Sequence, residues 1–218
     1  MHARYQEWLA HVFDHTPTKN GWYFDNPTEE FEASPLDLTL LITQTCTNAE
    51  RDLAGFSNSQ VAQGLNYIFN NSCSNVIFGP KDKKVNTVTR CECIQSVIYL
   101  YEGCFKKRCS PQLSHLDEAR KSPLNIVCYM LWDVSPLANW HGDKEKKTFH
   151  STLVDLHTAV LKLGHDACTE SALHGLGHLH SYLAKPVENA VDNWLRQNGS
   201  ARTELLHYAK AARNGHVL

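Results

Sequence analysis

Apolar residues recur at three- and four-residue spacing along most of this chain, and this helical period constrains the fold more than any other feature of the sequence. Strand signals, meaning alternating apolar and polar residues rich in Val, Ile and Thr, are nearly absent. The clearest helical segments lie near 4–14, 58–70, 87–107 and 147–163. The sequence therefore predicts an all-α protein of roughly nine or ten helices.

Capping residues indicate where several of these helices begin. Ser34 precedes Pro35, which is the arrangement of an N-cap followed by proline in the first helical turn. Ser57 and Gln60 have the spacing of a capping box. The stretch 79–84, Gly-Pro-Lys-Asp-Lys-Lys, has the composition of an exposed loop.

The length and composition indicate one globular domain. The chain has 218 residues, of which 42% are hydrophobic and 20% charged, so a continuous core is expected over 1–218. We expect an irregular helical part over 1–138 and regular helix pairs over 139–218. In the second part, helices near 167–183, 186–198 and 200–213 are joined by connections so short that neighbouring helices should run antiparallel.

Charge and hydropathy argue against several partners and compartments. The net charge of -2 provides no global field for a polyanion, so no nucleic acid is expected to bind. The N-terminal residues lack the apolar region of a secretory signal, and no apolar run is long enough to span a membrane. We expect a cytoplasmic protein with no membrane partner, in which the eight cysteines are reduced and mostly buried.

A short phrase in the last third carries a family resemblance. Residues 172–179, Ala-Leu-His-Gly-Leu-Gly-His-Leu, resemble the inner helix of HEAT-like repeats, and 187–195 is similar to the outer helix of the next unit. The phrase Ser-Ala-Leu-His-Gly-Leu-Gly-His, at 171–178, also resembles one shared by a family of bacterial proteins without an assigned activity. The resemblance implies a right-handed α-α superhelix of antiparallel helix pairs, which provides a concave binding surface.

Histidines supply the sharpest chemical signal. Six of the thirteen lie in one stretch, at positions 150, 157, 165, 174, 178 and 180. His174 and His178 have the four-residue spacing that places two imidazoles on one helical face, as in many zinc sites. A zinc protease would carry its catalytic glutamate directly after the first histidine, where this chain has Gly175. A metal site would therefore need another third ligand, for which His157 and Glu170 are the candidates.

The cysteines and two acids provide weaker candidates. Cys91 and Cys93 lack the spacing of a zinc knuckle, although Cys104 and Cys109 are close in sequence. A Cys-His nucleophile pair is a further possibility that the local sequence does not assign to particular residues. Asp133 and Glu102 lie within largely apolar helices, where either a functional role or hydrogen bonding at a helix end would explain an acid. We expect Asp166 to cap the helix that carries His174.

Two functions from different classes follow from these observations. The first is a non-enzymatic module that binds another protein, as an adaptor or a toxin-neutralising immunity protein, with no cofactor and no catalytic residue. Its expected contact residues are His174, Gly175, Gly177, His178 and Ser181. The alternative is a metal-dependent hydrolase or oxygenase that holds Zn or Fe through His174 and His178, with His157 or Glu170 as a further ligand.

Overall fold

Eleven α-helices make up most of the chain in a computed structural model that describes residues 2–116, 118 and 122–217, and these residues contain no β-strand. In chain order the helices are α1 (His2–Phe13), α2 (Trp22–Asp25), α3 (Pro35–Thr47), α4 (Ala49–Asp52), α5 (Asn58–Phe69), α6 (Thr87–Leu100), α7 (Lys106–Arg108), α8 (Leu124–Val134), α9 (Lys146–Val160), α10 (Asp166–Gln197) and α11 (Thr203–Ala212). The prediction of an all-α protein is confirmed. The superhelical stacking of HEAT-like repeats stays a prediction.

The predicted caps of α3 and α5 are confirmed. Ser34 accepts a hydrogen bond from the backbone N–H of Asp37, one turn into α3. Ser57 and Gln60 form the reciprocal hydrogen bonds of a capping box at the start of α5. Local sequence is sufficient to predict where these two helices begin, because the capping groups lie within four residues of each other.

The segment predicted to be an exposed loop is buried at its first two residues, Gly79 and Pro80. Val76–Lys81 forms a 3-10 helix, and a Cβ added to Gly79 would lie 2.6 Å from the Cβ of Leu38 on α3. The carbonyl of Pro80 accepts a hydrogen bond from the Arg90 guanidinium at 3.0 Å. The prediction of an exposed loop was wrong for Gly79 and Pro80, because their packing depends on residues that are distant in sequence, whereas Lys83 and Lys84 are exposed as predicted.

The chain doubles back within α10. A straight helix of this length would extend about 48 Å, yet Asn198, just after α10, lines the same surface depression as Gly164, just before it. The reversal occurs at Leu183, whose φ of -142° and ψ of 58° are not helical. The predicted helices 167–183 and 186–198 therefore correspond to two arms of α10, 166–182 and 184–197.

The first arm of α10 lies among three other helices. It is buried over most of its length, and α10 packs against α8, α9 and α11. The predicted N-cap at Asp166 was wrong: His165 occupies that position, without a side-chain capping bond, and Asp166 is the first helical residue. This arrangement places one face of the first arm opposite α8 and α11, where the candidate site lies.

Candidate functional site

The side chains of Asp133, His174 and His178 converge at the junction of α8 and α10. One ligand-type atom from each residue lies within 4.8 Å of the other two. The Nε2 atom of His174 lies 2.8 Å from one carboxylate oxygen of Asp133, and the Nε2 atom of His178 lies 2.8 Å from the other. The two Nε2 atoms are 3.0 Å apart. Among the described residues, this is the only group of three His, Cys, Asp or Glu side chains arranged in this way.

Helical geometry accounts for the position of each side chain. His174 and His178 are one turn apart on the first arm of α10, so their rings project from the same face. Asp133 is the only charged residue of α8 and lies one residue before the end of that helix. Because α8 carries no other charged residue and packs against α10, its C-terminal end brings one carboxylate to the paired imidazoles.

Tyr208 of α11 holds the other side of the His174 ring. The tyrosine hydroxyl lies 2.5 Å from Nδ1 of His174, and His174 is fully buried. With a cation bound, the Nδ1–H of His174 would donate to this hydroxyl, and the lone pair of Nε2 would face the cation. Burial, followed by a hydrogen bond with Tyr129, raises the pKa of Tyr208 well above its ordinary value. The phenol therefore remains protonated.

Electrostatics keep the Asp133 carboxylate ionised. Burial raises its pKa, but hydrogen bonds with His174 and His178 outweigh burial, so the pKa lies well below its ordinary value. Oxygens of an ionised carboxylate can only accept hydrogen bonds, so each histidine must carry a proton on Nε2 to bond with it. Two protonated Nε2 atoms 3.0 Å apart cannot bond to each other. A single cation would instead receive a lone pair from all three side chains.

The spacing of the donor atoms suits a small divalent cation. Two imidazole nitrogens on one tetrahedral zinc ion are roughly 3.3 Å apart, because each Zn–N bond is about 2.0–2.1 Å long. The observed 3.0 Å between the Nε2 atoms of His174 and His178 is within a few tenths of an ångström of that distance. The three residues therefore fit a cation with only small shifts of the side chains.

Glu170, one of the two third ligands predicted from sequence, is engaged in another network. Its carboxylate is fully buried and accepts hydrogen bonds from the backbone N–H groups of Ser114 and His115, each at 2.9 Å. The Nδ1 atom of His115 lies 2.6 Å from the same carboxylate, and its ring stacks on Tyr208. Glu170 thus supports the back of the site through His115 and Tyr208 and does not reach the cluster.

His157, the other predicted ligand, packs behind the cluster. Its ring lies against Gly175, where an added Cβ would be 2.3 Å from Cε1, and it meets the edge of Trp132. Burial lowers the pKa of His157 to about 3, so the ring is neutral. From the sequence, His157 and Glu170 are the candidate third ligands, and Asp133 stands out only as an acid in a largely apolar helix. That isolated charge was the signal that pointed to the third donor.

The predicted protein-contact residues are divided between the interior and the surface. His174, Gly175 and Gly177 are buried, and a Cβ on Gly177 would lie 2.5 Å from the side chain of Val217. Close approach of other parts of the same chain therefore accounts for both glycines. His178 and Ser181 are exposed.

A surface depression of about 410 Å³ lies beside Asp133. Asp133 lies in its lining together with Lys81, Asn139 and His141. The ammonium group of Lys81 donates to the carbonyl of Pro136 at 3.0 Å, and burial lowers its pKa to about 8. The side chains of Asp133 and His178 remain 25% and 39% exposed, so water or a small molecule can reach the cluster.

The cysteines are all free thiols, and six of the eight are buried. This bears out the expectation that most are small buried side chains. Cys93 is buried within α6 and Cys91 is partly covered, and neither belongs to the three-donor group found among the described residues.

Comparison with protein-family models, with curated proteins and with solved structures gave no match. Within the described part of the chain, no helix combines the length and apolar character needed to cross a bilayer.

Proposed function

We propose that this protein is a metal-dependent hydrolase whose divalent cation is bound by Asp133, His174 and His178. The observation that carries the proposal is the convergence of two imidazoles and one carboxylate within 4.8 Å, at an open end of the α8–α10 junction. Two histidines and one carboxylate are a common ligand set of catalytic zinc and of non-haem iron. A cation bound there would keep coordination positions for water.

The surroundings favour hydrolysis. A bound divalent cation lowers the pKa of a coordinated water and polarises a substrate oxygen. Lys81, Asn139 and His141 line the depression beside Asp133 and offer cationic and polar groups to a substrate. We therefore propose an ester with an anionic group as the substrate class. Residues of this kind suit a charged substrate better than an apolar one.

Metal binding is the first test. Protein purified without a histidine tag and stripped of metal should bind one equivalent of Zn²⁺, Mn²⁺ or Fe²⁺ in isothermal titration. At a free-metal concentration of 100 times Kd, binding adds about 2.7 kcal/mol, a rise in Tm of roughly 5–10 °C for a chain of this size. Asp133→Asn and His178→Ala should each abolish most of this rise.

His180→Ala is the matched control, because His180 lies on the same arm but its Nε2 is directed to Glu188 at 3.8 Å. This variant should bind metal as the unmodified chain does. Metal affinity that is unchanged in Asp133→Asn and His178→Ala, or the lack of stoichiometric binding, would contradict the proposal. Hydrolysis of p-nitrophenyl phosphate, assayed with the metal that binds most tightly, tests the reaction. Oxygen consumption by the Fe²⁺ form without hydrolysis would favour an oxygenase.

Binding of another protein, as an adaptor or an immunity protein, stays a prediction from sequence. Its surface would have to include His178 and Ser181, because the other three expected contact residues are buried. A His178→Ala, Ser181→Ala double variant that captures the same host proteins as the unmodified chain would argue against this surface.

A further inference from the structure

The surface depression is lined by a lysine whose hydrogen-bond partners are neutral carbonyls. Lys81 is the last residue of the 3-10 helix, and its ammonium group donates to the carbonyls of Pro136 and Asn139. The Nζ atom also lies 4.0 Å from the ring centroid of Trp140, in the geometry of a cation–π contact. These contacts fix the position of the ammonium group and leave its positive charge without a negative partner.

The carboxylate that acts on Lys81 is paired with another cation. The guanidinium of Arg90 lies 5.0 Å from the same Trp140 ring centroid, and it forms an ion pair with Asp143 at 2.6 Å. Two cationic side chains therefore share one indole ring and one carboxylate. Burial, followed by repulsion from Arg90, lowers the pKa of Lys81 to about 8, and Asp143 partly offsets both effects. The ammonium group is mostly charged at pH 7, so an anion in the depression would balance it.

An exposed aromatic ring lies on the same side of the 3-10 helix. Side chains three residues apart eclipse each other in a helix of this type, so Phe78 projects next to Lys81. Phe78 is 43% exposed, whereas the preceding Val76 and Ile77 are buried. Phe78, Lys81 and Asp133 all line the depression. The ring therefore provides an apolar surface beside a cation and beside a proposed metal ligand.

This combination of groups suits an aromatic phosphate ester. A cation at Asp133 and the ammonium group of Lys81 would place two positive charges in one depression. A phosphate group has three terminal oxygens and up to two negative charges, so it can bind both at once. An aromatic ring attached to that phosphate would pack against Phe78 in an offset or edge-on arrangement. The volume of about 410 Å³ is in the range of sites for small molecules.

We propose that the depression binds the substrate as an aromatic phosphate monoester, with its phosphate on Lys81 and its ring on Phe78. The role of the phosphate as the reacting group rests on the proposed function, because it requires the cation at Asp133. Binding of the phosphate and of the ring depends on Lys81 and Phe78 and is measurable without turnover.

Isothermal titration with phenylphosphonate, which has no ester bond to hydrolyse, tests the site. The full-length protein is saturated with whichever cation it binds, or is metal-free if it binds none. Lys81→Met should weaken phosphonate binding by about 10–100-fold, because a charged hydrogen-bond donor is lost. Phe78→Leu should weaken it by about 3–10-fold and should remove the preference of the unmodified chain for phenylphosphonate over cyclohexylphosphonate.

Lys84→Met and Phe24→Leu are the matched controls, since both side chains are exposed and neither lines the depression. Each control should bind phenylphosphonate as the unmodified chain does. Because Phe78 is exposed, Phe78→Leu should keep the Tm of the unmodified chain even if Lys81→Met does not.

Two results would overturn the proposal. One is an affinity for phenylphosphonate that is unchanged in Lys81→Met and Phe78→Leu. The other is an unmodified chain that binds cyclohexylphosphonate or benzoate as tightly as phenylphosphonate. A chain that binds no cation but binds phenylphosphonate through Lys81 and Phe78 would contradict the proposed hydrolase and support the aromatic phosphate site.

Discussion

Replacing Gly175 by alanine is expected to destabilise the protein by about 2 kcal/mol, because the new methyl group would overlap the ring of His157. The added Cβ would lie 2.3 Å from Cε1 and 2.4 Å from Nε2 of that ring. The ring cannot easily move away, since His157 is buried and its other side meets Trp132 at a centroid distance of 4.6 Å. The first arm of α10 and α9 would have to separate.

The magnitude is the difference between two opposing effects. Overpacking a well-filled core costs typically 1–3 kcal/mol, and an overlap this deep with a confined ring falls near about 3 kcal/mol. Alanine in place of glycine within a helix recovers up to about 1 kcal/mol. The net loss of about 2 kcal/mol corresponds to a fall in Tm of roughly 4–8 °C for a chain of this length.

Thermal unfolding followed by circular dichroism provides the assay. Gly55→Ala is the matched control, because no atom lies within 4 Å of the Cβ it would add, and its Tm should change little. In a His157→Ala background, the space left by the ring should make Gly175→Ala neutral or stabilising. A Tm shift for Gly175→Ala that is no larger than that for Gly55→Ala, or an equal loss of stability with and without the His157 ring, would show that overlap with this ring is not the cause.

Three further predictions concern other parts of the structure. Tyr208→Phe should weaken metal binding by about 10–100-fold, since it removes the hydrogen-bond partner of His174 Nδ1; calorimetry that finds an unchanged Kd would contradict this. Burial lowers the pKa of His157 to about 3 from its ordinary 6.5, so the unfolded chain binds the extra proton between these pH values. This residue should therefore make stability fall by about 1.4 kcal/mol per pH unit on acidification through that window, and urea titrations of His157→Gln should show a slope that is smaller by this amount. Ser57→Ala should cost about 1 kcal/mol through loss of the α5 capping box, and an unchanged urea midpoint would argue against that contribution.

The helical character of most segments and several helix ends can be predicted from local sequence, because the interactions that determine them lie within one or two helical turns. The capping box of α5 and the four-residue spacing of His174 and His178 are of this kind. The 3-10 helix Val76–Lys81 could not be predicted from local sequence, since its burial depends on contacts with α3 and with Arg90. The charged residues and the Gly-Pro pair of this segment are typical of an exposed loop, and only its contacts with α3 and Arg90 show that part of it is buried.

The third donor of the candidate site could not be chosen from sequence for the same reason. Asp133 contacts the histidines only because α8 packs against the first arm of α10. The spacing of residues in the sequence does not predict that contact. Glu170 lies one turn from His174 and was the nearer candidate, yet it bonds to the backbone of Ser114 and His115. Proximity along a helix predicts a shared face but not which residues other helices bring to it.

The candidate site also depends on contacts between residues far apart along the chain. Asp133 and His174 are separated by 41 residues, and His174 and Tyr208 by a further 34. Closing such loops has an entropic cost that must be met before the contacts contribute, so long-range clusters of this kind tend to form late in folding. The three-donor geometry with its tyrosine support therefore exists only after α11 has docked. A cation that needs the three donors would bind once α8 has packed against α10, and more tightly once α11 brings Tyr208 to His174, so metal affinity reports on both of these contacts.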